Sequence, residues 1–145
     1  MSILAVRKSG IFAMYLICFI VGIIISICGI IAQINGGDGI PLAIVGIVLF
    51  ISCLILVIDI AKTPKNIIMY NNDSYTINAL GEKINLKDII DVSYKKARAK
   101  HIYYKWGTVI ITTNSKKLKC KYVAECEDVA KQVYALSTKA KEMDI

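Results

Sequence analysis

The sequence predicts an α+β chain in which an N-terminal hairpin of two membrane-spanning helices carries a small basic domain of antiparallel strands capped by a C-terminal helix. Three observations lead there: two long, almost uncharged apolar runs, the abrupt onset of charge behind them, and a change of hydrophobic period inside the charged part. The chain has 145 residues, is 56% hydrophobic and has a mean hydropathy of +0.57. That is too apolar for a soluble domain, and the C-terminal part is too charged for a protein wholly in lipid. Asp38 and Asp59 are the only charges between Ile11 and Ile60, so the formal net charge of +7 belongs essentially to the residues from Lys62 on. The reading is a cytoplasmic N-terminal segment over 1–10, a hairpin over 11–61 with helices at about 11–34 and 40–60, and a cytoplasmic domain over 62–145.

The first run, IFAMYLICFIVGIIISICGIIAQI, and the second, IPLAIVGIVLFISCLILVIDI, are each long enough to cross a hydrocarbon core of roughly 30 Å as helices. Their Ile and Val content suits strands, but their length and all-round apolarity favour helices, which satisfy their own backbone groups in lipid. The first run, preceded by Arg7 and Lys8, also looks like a secretory signal. It is longer than a signal h-region of about 7–15 residues and has no A-x-A pattern behind it. Asn35-Gly36-Gly37-Asp38-Gly39 reads as the turn, and Pro41 fits the first turn of the second helix, where no N–H is needed. Arg7 and Lys8 before the hairpin and Lys62 and Lys65 after it put both termini in the cytoplasm by the positive-inside rule. Gly22, Ser26 and Gly29 form a small-residue stripe that Gly46 of the second helix can meet. That pattern equally reflects the general abundance of glycine in such helices, and it also permits self-association. Neither span carries a mid-depth ionisable residue of the kind that marks an ion path, so the hairpin reads as an anchor.

From Thr63 the pattern shortens. Apolar segments at 66–70, 74–80, 83–86, 89–94, 108–113 and 117–123 are punctuated by Asn71-Asn72-Asp73, Gly81-Glu82 and Asn114-Ser115, as in an antiparallel meander. In the last segment Leu118, Cys120 and Tyr122 alternate with Lys117, Lys119 and Lys121, giving one dry and one wet face. From Ala124 onward Cys126, Val129, Val133 and Leu136 recur at helical spacing. Glu125, Glu127 and Asp128 lie near the start and Lys139 and Lys141 near the end, as the helix dipole favours. A fragment from Lys62 onward is expected to supply its own core.

The stretch Ile84-Asn85-Leu86-Lys87-Asp88-Ile89-Ile90-Asp91-Val92, a basic stretch, Trp106-Gly107-Thr108-Val109-Ile110-Ile111-Thr112-Thr113, Tyr122-Val123 and Glu127-Asp128-Val129 together resemble the bacterial pleckstrin-homology-like domain, often found behind two transmembrane helices. The resemblance covers roughly residues 63–136. It implies a small curled sheet or barrel capped by a helix, and it brings no invariant catalytic residue. A fold shared with lipid-binding domains does not transfer their function.

Catalytic and metal chemistry has little support. His101 is the only histidine, Cys120 and Cys126 have no zinc-knuckle spacing, and neither a phosphate-cradling glycine loop nor an oxyanion loop is recognisable. No catalytic residue, metal or cofactor is expected. The remaining feature is the basic, aromatic stretch over 94–106, read as an exposed loop. Lys95, Lys96, Arg98, Lys100, Tyr103, Tyr104, Lys105 and Trp106 are its candidate contacts to anionic lipid headgroups, since cations near an anionic leaflet are worth about 1 kcal/mol each. The competing reading is a solvated loop, rich in lysine for solubility. Tethering to a membrane argues against nucleic acid as the partner, although aromatics among basic residues also stack bases. The expected function is a non-enzymatic, membrane-anchored adaptor at the inner face of a bacterial cytoplasmic membrane, binding lipid or another membrane protein. Bacteriocin immunity or membrane-stress tolerance is the alternative.

Overall fold

A computed structural model of the chain describes residues 1–143 and contains two compact units. One is the helix pair within Ser9–Lys62, and the other joins Met1–Lys8 to the residues from Thr63 on.

The helix pair consists of α1 (Ile11–Ile34) and α2 (Ile40–Lys62), both long and apolar enough to cross a membrane. Only 11% of the most apolar window of each is buried, unlike the core helices of a soluble protein. What the two helices bury against each other is small. A Cβ built on Gly29 would collide with the Ala43 backbone nitrogen, and one on Gly46 would lie 2.5 Å from that of Ser26. Gly22 also sits close to the second helix, where a Cβ would lie 2.9 Å from the Phe50 nitrogen, and the Ser26 hydroxyl donates to the Gly22 carbonyl at 2.9 Å. The stripe of Gly22, Ser26 and Gly29 therefore lies against α2, with Gly46 opposite, and the missing side chains let the backbones approach. Phe19 and Phe50 add one ring contact at 4.7 Å.

The second unit holds two antiparallel sheets and a helix. In the first sheet β1 (Ser2–Val6), β2 (Asn66–Asn71), β3 (Thr76–Ala79) and β4 (Glu82–Asn85) lie in that order. A single 3-10 turn at Leu86–Asp88, with Asn85 accepting from the Lys87 N–H, leads into the second sheet. That sheet is β5 (Ile89–Ala99), β6 (Ile102–Thr113) and β7 (Lys117–Val123). The sheets meet at one corner, where Arg7 bridges Val123, the Lys8 N–H donates to the Tyr122 carbonyl at 2.8 Å, and Ala124 donates back to Val6 at 3.0 Å. Neither sheet closes on itself. Helix α3 (Cys126–Glu142) covers the open core with Cys126, Val129, Ala130, Val133, Ser137 and Ala140. Its Ser137 hydroxyl, buried with it, donates to the Leu86 carbonyl at 2.9 Å. Ile67, Ile68, Ile77, Leu86, Ile89, Val109, Ile111, Cys120 and Val123 complete the core, all fully buried.

Three features differ from the sequence reading. Residues 1–10, read as a segment apart, contain β1, whose Ala5 is buried in the domain core. A fragment from Lys62 onward therefore lacks an edge strand and does not hold its whole core. The stretch 94–106, read as a loop, is mostly paired strand, because Tyr, Trp and Ile favour a pleated surface and cross-strand neighbours satisfy the backbone. Finally, the alternation of the last strand breaks at its end. Tyr122 has a φ of +59° beside an irregular register, so Val123 is fully buried and Tyr122 only partly.

Candidate functional site

The basic stretch is the free end of a long hairpin. Strands β5 and β6 pair from Ile89↔Thr113 out to Ala99↔Ile102, whereas β7 pairs with β6 only from Thr112 to Gly107. Beyond Gly107 the two strands continue alone as a ribbon. Gly107 marks its root, since a Cβ there would collide with the Lys95 carbonyl oxygen. Past it the register shifts between Lys96 and Arg98, an irregularity of the kind that bends a strand pair.

The eight expected contacts separate into groups. Arg98, Lys100 and Tyr103 occupy the tip, where Lys100 takes the left-handed conformation with a φ of +52°. Tyr103 is 65% exposed, and Ile102 beside it is 62% exposed. Ile102 escapes the sequence reading because a lone apolar residue among cations gives no sign of which face it takes. Tyr104, Lys105 and Trp106 lie at the root. There the Trp106 ring is held between Tyr104 at 6.2 Å and Tyr122 at 6.5 Å. Lys95 is exposed opposite Thr108. Lys96 is committed elsewhere: its Nζ lies 2.5 Å from the Glu127 carboxylate and 5.9 Å from the Tyr94 ring centroid. Lys131, one turn further along α3, donates to the same carboxylate at 2.8 Å. Hydrogen bonds from Lys131 and Lys96 hold the Glu127 carboxyl at about 2, and the same contacts raise both lysines.

Beside the ribbon root lies a groove of about 660 Å³. One wall is the end of β1 and the residues behind it, with Leu4, Val6 and Lys8. A second is Tyr104, Lys105 and Trp106, and the third is the start of α3, with Glu125, Asp128 and Val129. Its walls come from three separated stretches of the chain, so the sequence alone picks out the aromatic wall and not the groove.

The thiols of the domain are packed rather than reactive. Burial pushes Cys120 up to about 12, and it also raises Cys126. Among the described residues no three His, Cys, Asp or Glu side chains are grouped to hold a metal ion. His101 lies exposed at the ribbon turn. Compared with known proteins, the chain matches no family model, no curated protein and no solved structure.

Proposed function

We propose that this protein is a membrane-anchored adaptor of pleckstrin-homology-like architecture, whose ribbon tip touches the anionic inner leaflet of the membrane that its helix pair crosses. The observation that carries the reading is the tip itself. Arg98 and Lys100 stand beside Ile102 and Tyr103, two large apolar side chains each more than 60% exposed, at the end of a two-stranded projection. Basic residues bracketing an aliphatic and an aromatic side chain suit the headgroup boundary.

Further support comes from the architecture. Within the stretch that carries the resemblance, three strands, then three more, then a C-terminal helix support it, and β1, from before the helix pair, adds a fourth strand to the first sheet. The Arg7 N–H donates to the Lys65 carbonyl and its guanidinium to that of Thr63, both at 2.9 Å, so the flanks of the pair belong to one sheet. Two crossings return the chain to the side it left, and the basic flanks favour the cytoplasmic side. Tethering keeps the tip at high local concentration near the bilayer, so each contact can be weak.

The test uses the full chain in nanodiscs, with Ile102→Trp as a depth probe read against the unmodified protein. Brominated lipids are expected to quench the added tryptophan in discs containing phosphatidylglycerol, less so at high salt, and less again with Arg98→Gln and Lys100→Gln present. Quenching that ignores lipid charge, salt and both substitutions would make a protein partner the better reading.

A further inference from the structure

We propose that the groove beside the ribbon root binds one zwitterionic phospholipid headgroup of the ethanolamine type. The lysines take its phosphate and the carboxylates take its primary ammonium. The inference rests on the membrane anchoring proposed above but concerns a different surface from the ribbon tip.

Charge in the groove is of both signs and unspent. Lys8, Lys105, Glu125 and Asp128 all line it, and none of the four makes an ion pair among the described residues. The neighbouring Glu127 is the contrast, since Lys96 and Lys131 already satisfy it. A purely anionic headgroup would meet the lysines but leave two carboxylates facing a negative ligand, which is unfavourable. A dipolar headgroup satisfies both ends. The ammonium end is better matched by a primary than by a quaternary amine, because a primary ammonium donates three hydrogen bonds and two carboxylates can accept them. A quaternary amine donates none and would depend on a closed aromatic cage. Trp106, whose ring neighbours Tyr104 and Tyr122, adds an aromatic wall that favours neither cation over the other.

Size and position agree with this occupant. A volume of about 660 Å³ falls within the range of small-molecule sites, and Leu4 and Val6 offer apolar surface for the glycerol end. Lys8 is pinned at the sheet corner by its N–H bond to the Tyr122 carbonyl, and it stands three residues before Ile11, the first residue of α1. The groove thus includes the residue at which the chain is about to leave water, where bilayer lipid is the most concentrated dipolar ligand.

The experiment is native mass spectrometry of the full chain in non-ionic detergent with equal amounts of phosphatidylethanolamine, phosphatidylcholine and phosphatidylglycerol. Glycerophosphoethanolamine is added in a separate arm as the soluble source of the same headgroup. The unmodified protein is expected to retain phosphatidylethanolamine about tenfold over the other two, the discrimination that one charge-assisted hydrogen bond confers. Glu125→Gln with Asp128→Asn should abolish that preference and raise retention of phosphatidylglycerol, a gain that misfolding cannot produce. Lys8→Gln with Lys105→Gln should reduce retention of both. Arg98→Gln with Lys100→Gln should leave retention unchanged, which separates this site from the ribbon tip. Equal retention of all three lipids, or a preference that survives loss of both carboxylates, overturns the proposal. So does full displacement of bound lipid by an equal concentration of glycerophosphoethanolamine, which would make the ligand a solute. If the groove retains no lipid while the tip still responds to anionic discs, the groove proposal falls and the adaptor reading stands.

Discussion

The helix pair and the mixed domain are inside-out relative to each other. At the centre of the helix pair the buried residues are Gly22, Gly29, Gly46 and Cys53, while Ile17, Ile24, Ile44 and Ile55 are more than half exposed. In the domain, Ile67, Ile68, Ile77, Ile89 and Ile111 are fully buried, and lysines and tyrosines face outward. The same side chain, isoleucine, is placed on opposite sides of the two units. In water, burying isoleucine drives folding; against hydrocarbon that gain vanishes, and close backbone packing through small residues takes its place. The helix pair is thus packed as a pair in hydrocarbon would be, and the domain as a unit in water would be.

The sharpest way to break this comparison is to ask whether the domain is independent of the helices yet dependent on the residues before them. A chain joining Met1–Lys8 through a short Gly-Ser linker to Thr63 and beyond should be soluble and unfold in one cooperative urea transition, because Arg7 already touches Thr63 and Lys65. A chain beginning at Thr63 should show no cooperative transition. It loses the four pairings of β1 with β2, the Arg7–Val123 bridge and the buried Ala5. A cooperative transition in that shorter chain would show that β1 is dispensable.

This dependence explains what the sequence could and could not reveal. Both long helices were legible because length and apolarity are local properties, and α3 was legible because Cys126, Val129 and Val133 mark its buried face directly. The partner of SILAV was not legible. It is separated from Asn66–Asn71 by both helices, and five residues beside Arg7 and Lys8 carry no pairing signal of their own. The ribbon was hidden differently. Lys95, Lys96, Arg98, Lys100 and Lys105 mask the β preference of Tyr94, Ile102, Tyr103 and Trp106, and the shifted register removes a clean alternation. The groove, assembled at the sheet corner from distant walls, could not be foreseen before the strands were placed.

The next effect is smaller and compares the two interiors residue by residue. Gly29→Leu should destabilise the helix pair in detergent by about 1–3 kcal/mol or more, since its side chain must occupy space held by the Ala43 backbone. Ile30→Ala, at a position 51% exposed, should stay within about 0.5 kcal/mol. In the linked soluble domain, Ile111→Ala at a fully buried position should cost about 2–5 kcal/mol. Thermal melts by circular dichroism and urea titrations give the ordering. If Ile30→Ala were as damaging as Ile111→Ala, the two units would not differ in where their large side chains do their work.

The smallest effect lies on the domain surface, where Glu127 in the first turn of α3 pairs with Lys96 of β5 and with Lys131 of its own helix. Its carboxyl is lowered from 4.5 to about 2 in the folded protein by hydrogen bonds from Lys131 and Lys96. As pH falls below 4.5 the unfolded chain takes up this proton before the folded chain does. The stabilisation from the ionised carboxylate is therefore present above that value and lost progressively down to about pH 2. Glu127 is exposed enough for water and salt to screen the pair, so the effect on stability should be slight. Glu127→Gln in the linked domain isolates it from the other carboxylates that titrate in the same range. The urea midpoint of the variant should lie below that of the parent at pH 7, the gap should narrow between pH 4.5 and 2, and added salt at pH 7 should also narrow it. A gap that is constant across this range would mean that Glu127 acts through packing, and that β5 is held to α3 by something other than charge.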